Sequence, residues 1–241
     1  MIWILPLAGK GKRTNSLGSF KPFIRINKKK IIEWFFLGLK TKFKKNDLII
    51  FITTKEFEVK NNFKKNIKKI LKKNGFNIRL KFKFLDHTPN GPAYTVNSIK
   101  NDLDNKNSCI VINCDQFIDF DLPLNLNKKK IYIPLHYNFH GNSSYVLFQK
   151  NGGISSIKEK KMISNYASSG VYIFGNTQLL KLTLEFLNEG KFKKEVNMSN
   201  LLNLYIKKYN IALEPLETYT KYDLGNLSSI KKFNYKKIEI K

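Results

Sequence analysis

Arginine is nearly missing from this chain of 241 residues: Arg13, Arg25 and Arg79 are the only ones among 44 cationic residues, and all the others are lysine. Proteins that read base edges lean on the bidentate arginine fork. A sequence-reading nucleic-acid protein is therefore disfavoured, even at a formal net charge of +26. The lysines fall in small clusters along the whole length, among them Lys28 to Lys30, Lys68-Lys69 and Lys128 to Lys130. That spread suits solvated faces better than one polyanion-binding stripe. Cysteine is also scarce. Cys109 and Cys114 lie close together beside an apolar run, which excludes a disulfide scaffold and fits reduced thiols in a cytosol. No apolar run reaches the roughly 18 residues of a membrane-spanning helix. No cationic segment with a cleavage-like site marks the N-terminus. The expectation is a cytoplasmic protein without a membrane partner.

Several chemical signatures are missing too. After the first apolar run, "ILPLAGKGKRTNSLGSFKPF" (Ile4 to Phe23) offers Gly9 and Gly11, but a dinucleotide loop needs a third glycine where Asn15 or Ser16 stands. Thr53-Thr54-Lys55 supplies no acid at the end of the second strand, so a dehydrogenase is excluded. There is no Walker loop and no G-x-S-x-G elbow. His136 and His140 have helical metal-site spacing, but Pro134 and Gly141 argue against a helix there, and no general base lies between them. Neither cysteine has the surroundings of a nucleophile.

What is present is a core-forming composition: 42% hydrophobic and 13% aromatic residues, enough for one folded domain. Strands are predicted at Ile2 to Leu7, Asp47 to Thr53, Ile78 to Leu85 and Ser108 to Asn113. Helices are predicted between them at Lys30 to Leu39, Phe57 to Lys73 and Pro92 to Leu103, with Ile31, Phe35 and Leu39, then Phe63, Ile67, Ile70 and Leu71, facing inward. This β-α-β-α-β-α-β order predicts an α/β fold with a Rossmann-like, mostly parallel central sheet flanked by helices. Beyond Asp121 the texture changes. Short strands at Ile131 to Leu135, Ser143 to Phe148, Ile154 to Glu159, Gly170 to Phe174, Ile211 to Leu216 and Glu217 to Asp223 predict a smaller mixed-sheet region in the C-terminal half. Helices at Thr177 to Asn188, Ser199 to Lys208 and Ser228 to Tyr235 close it. Residues 1–121 and 122–241 are thus two parts of a single domain.

Candidate chemistry clusters at the strand ends. Gly9 and Gly11 allow backbone N–H groups to approach phosphate oxygens, and Lys10, Arg13 and Lys21 bring charge to neutralise them. "VINCDQF" delivers Asp115 at the C-terminal edge of a strand, where ligands sit in open α/β sheets and where a carboxylate suits Mg²⁺. Gly91 in "TPNGPAYTV" permits close approach to a ring edge or an anion. Glu159-Lys160 could hold hydroxyls and a phosphate. In "KYDLGNL", Asp223 could share a metal with Asp115 if the fold brings them together.

Read in order, A-G-x-G-x-R with a following K-P, then G-x-A, a strand ending in Asp, E-K, A-x-x-G before a strand, and a late D-x-G, the chain resembles the sugar-phosphate nucleotidyltransferases over nearly its whole length. It looks most like the surface-polysaccharide-type members, whose strand before the metal aspartate reads like "NCDQF". The resemblance implies a Rossmann-like nucleotide-binding core with a sugar-binding sheet. It also implies transfer of a nucleoside monophosphate from a triphosphate to a phosphorylated sugar, with release of pyrophosphate. Leu7, Ala8, Gly9, Gly11, Arg13 and Lys21 would line the nucleotide, and Gly91 would face its base. Arg13, Lys21 and Asp115 would be catalytic. Asp115 and Asp223 would hold Mg²⁺, while Glu159, Lys160 and Gly170 would meet the acceptor. Lys12 and Phe20 depart from the family pattern, and no clear glutamine precedes Gly91, so CTP, UTP and GTP all stay open. A phospho-alcohol acceptor such as phosphocholine, a basic nucleic-acid-binding protein and a homo-oligomer stay open as well.

Overall fold

The computed structural model describes residues 1–9, 20–189, 192 and 194–233. Gly11 and Arg13 lie outside the described residues. The first half contains β1 (Ile2–Pro6), β2 (Arg25–Ile26), β3 (Lys29–Lys30), α1 (Ile31–Gly38), β4 (Leu48–Thr54), α2 (Lys55–Asn61), α3 (Phe63–Lys73), β5 (Arg79–Leu85), α4 (Pro92–Asn97) and β6 (Cys109–Ile112), with β2 and β3 paired as a separate antiparallel ribbon. The order β6-β1-β4-β5 is parallel throughout. The central strands are unbroken apolar runs because both faces are covered. Along β1, Ile2 and Ile4 enter one core cluster and Trp3 and Leu5 the other, on opposite faces of the sheet. Fully buried Trp3 donates its indole N–H to Asp47 Oδ2 at 2.9 Å.

The predicted inward residues of α1 and α3 are all buried. The predicted helix Phe57 to Lys73 is two helices, however. Asn62 adopts φ 44°, a left-handed conformation that asparagine tolerates, and breaks the run. The first helix also starts earlier, because the Thr54 hydroxyl caps it by accepting from Phe57 N–H at 3.3 Å. The predicted helix Pro92 to Leu103 ends at Asn97, and only a 3₁₀ turn, Lys100–Asp102, follows. Ser98 turns its hydroxyl back onto the Thr95 carbonyl at 2.7 Å, one of the local bonds by which serine competes with helix propagation.

The second half contributes β7 (Gln116–Phe120), β8 (Ile131–Tyr137), β9 (Ser144–Phe148), β10 (Ile154–Glu159), β11 (Tyr166–Ser168), β12 (Val171–Phe174), α5 (Thr177–Glu189), α6 (Met198–Tyr209), β13 (Glu214–Asp223) and α7 (Leu227–Lys232). Strands β7 and β11 are absent from the sequence reading. β12 pairs antiparallel with β6, so the antiparallel region continues the parallel sheet instead of forming a second one. The two strands predicted between Ile211 and Asp223 are one strand that changes partner. Glu214–Glu217 runs parallel to β8, and Thr218–Asp223 runs antiparallel to β7. The predicted last helix stops at Lys232, and its predicted end at Tyr235 lies outside the described residues. Among the described residues no helix is long and apolar enough to cross a membrane.

Gly38, at the end of α1, sits directly on β7. A Cβ there would come within 2.6 Å of the Ile118 carbonyl oxygen and 2.9 Å of its nitrogen. Backbone atoms in a sheet cannot step aside, so Gly38→Ala is expected to lower stability by about 1–3 kcal/mol through overpacking, read as a lower urea midpoint. An unchanged midpoint would mean that α1 is free to lift from the strand.

Candidate active site

The site forms where β1, β6 and β13 end. Leu7 closes β1 by donating its N–H to the Ile52 carbonyl at 2.7 Å, and Ala8 is buried behind the site. Phe20 packs its ring 4.5 Å from that of Phe57 and 5.5 Å from that of Phe23. This buried phenyl, where the family pattern has proline, anchors the 3₁₀ turn Lys21–Phe23 and fixes the base of the Lys21 side chain. Lys21 Nζ then bonds Asp115 Oδ2 at 2.5 Å.

Asp115 and Asp223 are brought together by backbone pairing. Asp223 lies opposite Gln116 in the β13–β7 ladder, and Leu224 N–H donates to the Asp115 carbonyl at 2.8 Å. Asp223 is oriented by Gly225 N–H on Oδ1 at 2.7 Å and by the Asn226 amide on Oδ2 at 2.9 Å. Gly225 marks the convergence point. A Cβ placed on it would lie 2.7 Å from Asp115 Oδ2, 2.8 Å from Asp223 Oδ1 and 3.0 Å from Lys21 Nζ. No group of three or more His, Cys, Asp or Glu side chains that could hold a metal occurs among the described residues. Two converging carboxylates without a full protein cage fit Mg²⁺, which keeps waters and takes substrate phosphates as its other ligands.

Two clefts meet at Asp115. The larger, about 690 Å³, is lined by Leu7, Gly9, Lys21, Asn90, Gly91 and Asp115, among others. Gly91 has φ +110°, and what approaches it most closely is the chain itself: a Cβ would fall 2.5 Å from the Val196 carbonyl oxygen. Hydrogen bonds from Ala93 N–H to Val196 O (3.1 Å) and from Val196 N–H to Asn90 O (3.0 Å) strap the segment before α6 onto this wall. The smaller cleft, about 200 Å³, is lined by Asn113, Glu159, Lys160, Gly170, Lys221 and Asp223, among others. Glu159 Oε2 accepts from the hydroxyls of Ser144 and Ser199, the latter at 2.9 Å. Beside it the phenol of Tyr172 is pushed up to about 12, first by burial and then by the charge of Glu159. Lys160 is exposed and sits on a turn with φ 51°. Gly170, at φ +72°, leaves room for the Asn113 amide, which a Cβ would meet at 2.9 Å.

Of the residues expected from sequence, Lys21, Asp115 and Asp223 thus come together. Leu7, Gly9 and Gly91 line the larger cleft, and Glu159, Lys160 and Gly170 line the smaller. Lys221 escaped the sequence reading. Its Nζ stands 3.4 Å from His136 Nε2, and His136 Nδ1 stands 3.1 Å from Ser169 Oγ. Burial, then the Lys221 charge, pulls the imidazole down to about 3, so it is neutral. Burial also pulls the Lys221 ammonium below the usual lysine range, with Asp223 and Asp115 opposing. Asn113, Glu195 and Asn197, shared by both clefts, were missed as well. Asn113 could have been found from its place in "VINCDQF". Cys109 and Cys114 are free and buried, and burial raises both thiols, which removes them as nucleophiles.

The fold has many solved counterparts. A nucleoside-diphosphate-sugar pyrophosphorylase from Vibrio cholerae RC9 superposes with a TM-score of 0.76 at 18% identity, over 96% of this chain and 98% of that one. A UDP-glucose pyrophosphorylase complexed with UDP-glucose gives 0.74 at 16% identity over 96% of each chain. The CTP:phosphocholine cytidylyltransferase of Streptococcus pneumoniae gives 0.69 at 20% identity, again over 96% of each. No match was found among curated protein sequences. The family model for nucleotidyl transferases matches residues 4–239, nearly the full length, and the chain belongs to that family of enzymes.

Proposed function

We propose that this nucleotidyltransferase moves a nucleoside monophosphate from a triphosphate to a phosphorylated sugar and releases pyrophosphate. The observation that carries the reading is the junction of the two clefts at Asp115, with Lys21 on one side and Asp223 on the other. A triphosphate in the larger cleft would point its phosphates at Lys21. An acceptor phosphate in the smaller would approach the α-phosphorus from the side opposite the departing pyrophosphate. One acceptor oxygen forms the new P–O bond as the bond to pyrophosphate breaks. A phosphate monoester is already nucleophilic, so positioning and charge neutralisation supply most of the catalysis. Arg13 and Lys21 would neutralise the leaving group. Mg²⁺, held by Asp115 and Asp223, would supply further charge neutralisation at the phosphates. On this reading residues 1–121 handle the nucleotide and residues 122–241 the acceptor, in the cytoplasm, toward a capsule or other surface polysaccharide.

The lining of the smaller cleft favours a polyhydroxylated acceptor. Asn113, Gln116, Ser144, Glu159 and Ser168 offer hydrogen-bonding groups there. A quaternary ammonium such as phosphocholine would instead call for several aromatic faces, and among the described residues lining this cleft Tyr172 is the one aromatic ring. The test incubates the protein and Mg²⁺ with each of CTP, UTP, GTP and dTTP against sugar 1-phosphates and phospho-alcohols, and measures pyrophosphate. Release with a sugar phosphate is expected. Release only with phospho-alcohols would overturn the choice of acceptor, and silence across the panel would overturn the reading.

A further inference from the structure

We propose that Lys221 is the cation that receives the acceptor's phosphate group and holds it beside the two aspartates. The inference rests on the transferase reading for the identity of that phosphate, while the case for an anion site stands on the geometry of Lys221 itself. Lys221 precedes Asp223 by two residues on β13, so both side chains project from the same face of the strand. Both line the smaller cleft, together with Asp115. An ammonium carries three donors. Among the described residues its hydrogen bond is the long one to His136 Nε2, at 3.4 Å. His136, neutral and steadied by Ser169, fixes the lysine's direction without cancelling its charge. The Ser169 hydroxyl is in turn 2.8 Å from Thr218 Oγ1, so the support runs from β13 back to β13.

The sequence offers Lys160, paired with Glu159, as a group that could hold a phosphate of the acceptor, and the structure exposes it at the turn after β10. The attacking oxygen must come within about 3–3.5 Å of the α-phosphorus. On the transferase reading the α-phosphate would lie at Asp115, Asp223 and Lys21, and Lys221 shares a strand face with one of these. A phosphate held there is within reach of the reaction, whereas Lys160 lines the same cleft from an exposed turn.

The experiment uses Lys221→Gln and Lys221→Arg, with thermal melting to establish that both are folded. In steady-state assays with an acceptor that turns over, Lys221→Gln is expected to raise the acceptor KM about 10–100-fold, as for loss of one charge-assisted contact. The triphosphate KM should stay near wild type, and Lys221→Arg should recover most of the loss. A purely structural role would move both KM values together, and that result would overturn the proposal. A second measurement is independent of transfer: inorganic phosphate is titrated into wild type, Lys221→Gln and Lys21→Ala and followed by ³¹P NMR. The site lost in Lys221→Gln should persist in Lys21→Ala. Equal phosphate binding by wild type and Lys221→Gln would overturn the proposal even if nucleotidyl transfer is confirmed. Selective loss would uphold the anion site even if no transfer is found.

Discussion

Asp115→Asn is expected to lower turnover by about 10²–10³-fold while leaving the fold intact, the usual loss when one preorganised charge at a reacting centre is removed. The amide keeps an oxygen that can accept from Lys21, and the backbone carbonyl that accepts from Leu224 N–H is untouched. What disappears is the negative charge, and with it half of the carboxylate pair that converges on Gly225. Wild-type activity should depend on added Mg²⁺, and the variant should need more of it. Pyrophosphate release across a Mg²⁺ series, beside a melting curve, measures both effects. Near-normal turnover at ordinary Mg²⁺ would detach Asp115 from the chemistry.

Gly225→Ala separates activity from stability more sharply. A Cβ at Gly225 would press on Asp115 Oδ2, Asp223 Oδ1 and Lys21 Nζ. All three are tips of flexible side chains, so the fold can yield at small cost. Gly225 is also not among the glycines with positive φ, so alanine is acceptable to the backbone. Yet the atoms that yield are the ones the proposed reaction needs in place. Displacements of about 1 Å at such positions cost on the order of 10²-fold in rate. The expected result is a melting temperature within about 4 °C of wild type, under 1 kcal/mol for a chain of this size, with kcat/KM reduced at least a hundredfold. An active Gly225→Ala enzyme would place the reacting phosphates elsewhere.

The parts of this molecule that sequence made legible are those in which local pattern and global fold agree. The apolar runs around Ile4, Ile50 and Val111 read as central strands because both of their faces are buried. Asp115 could be singled out because such a strand delivers it to the edge. Failures came where context outweighed pattern. Asn62 broke a helix through one left-handed residue inside an amphipathic stretch. β13 looked like two strands because its two halves face different neighbours. β7 went unread because it follows Asp115 at once, with no turn residue to announce it. Lys221 was invisible for another reason: in a chain so rich in lysine, its distinction is a half-buried place beside a neutral histidine, which only the folded arrangement of β8 and β13 creates. Val196 against Gly91 joins residues far apart in the chain, outside the reach of any local pattern.

The junction of β12 with β6 carries a consequence for how reactants are aligned. Val171 pairs with Ile112, so Gly170 and Asn113, which line the smaller cleft, stand one step beyond the last rung, and Asp115 two further along. Each rung of such a ladder spans about 3.3 Å, nearly the distance at which a phosphate oxygen attacks phosphorus. A slip of one residue would shift one substrate past the other by a whole bond-forming approach and turn every side chain to the wrong face. On the proposed reading, the reach between donor and acceptor would be gauged by strand register, a covalently spaced ruler running through the middle of the sheet.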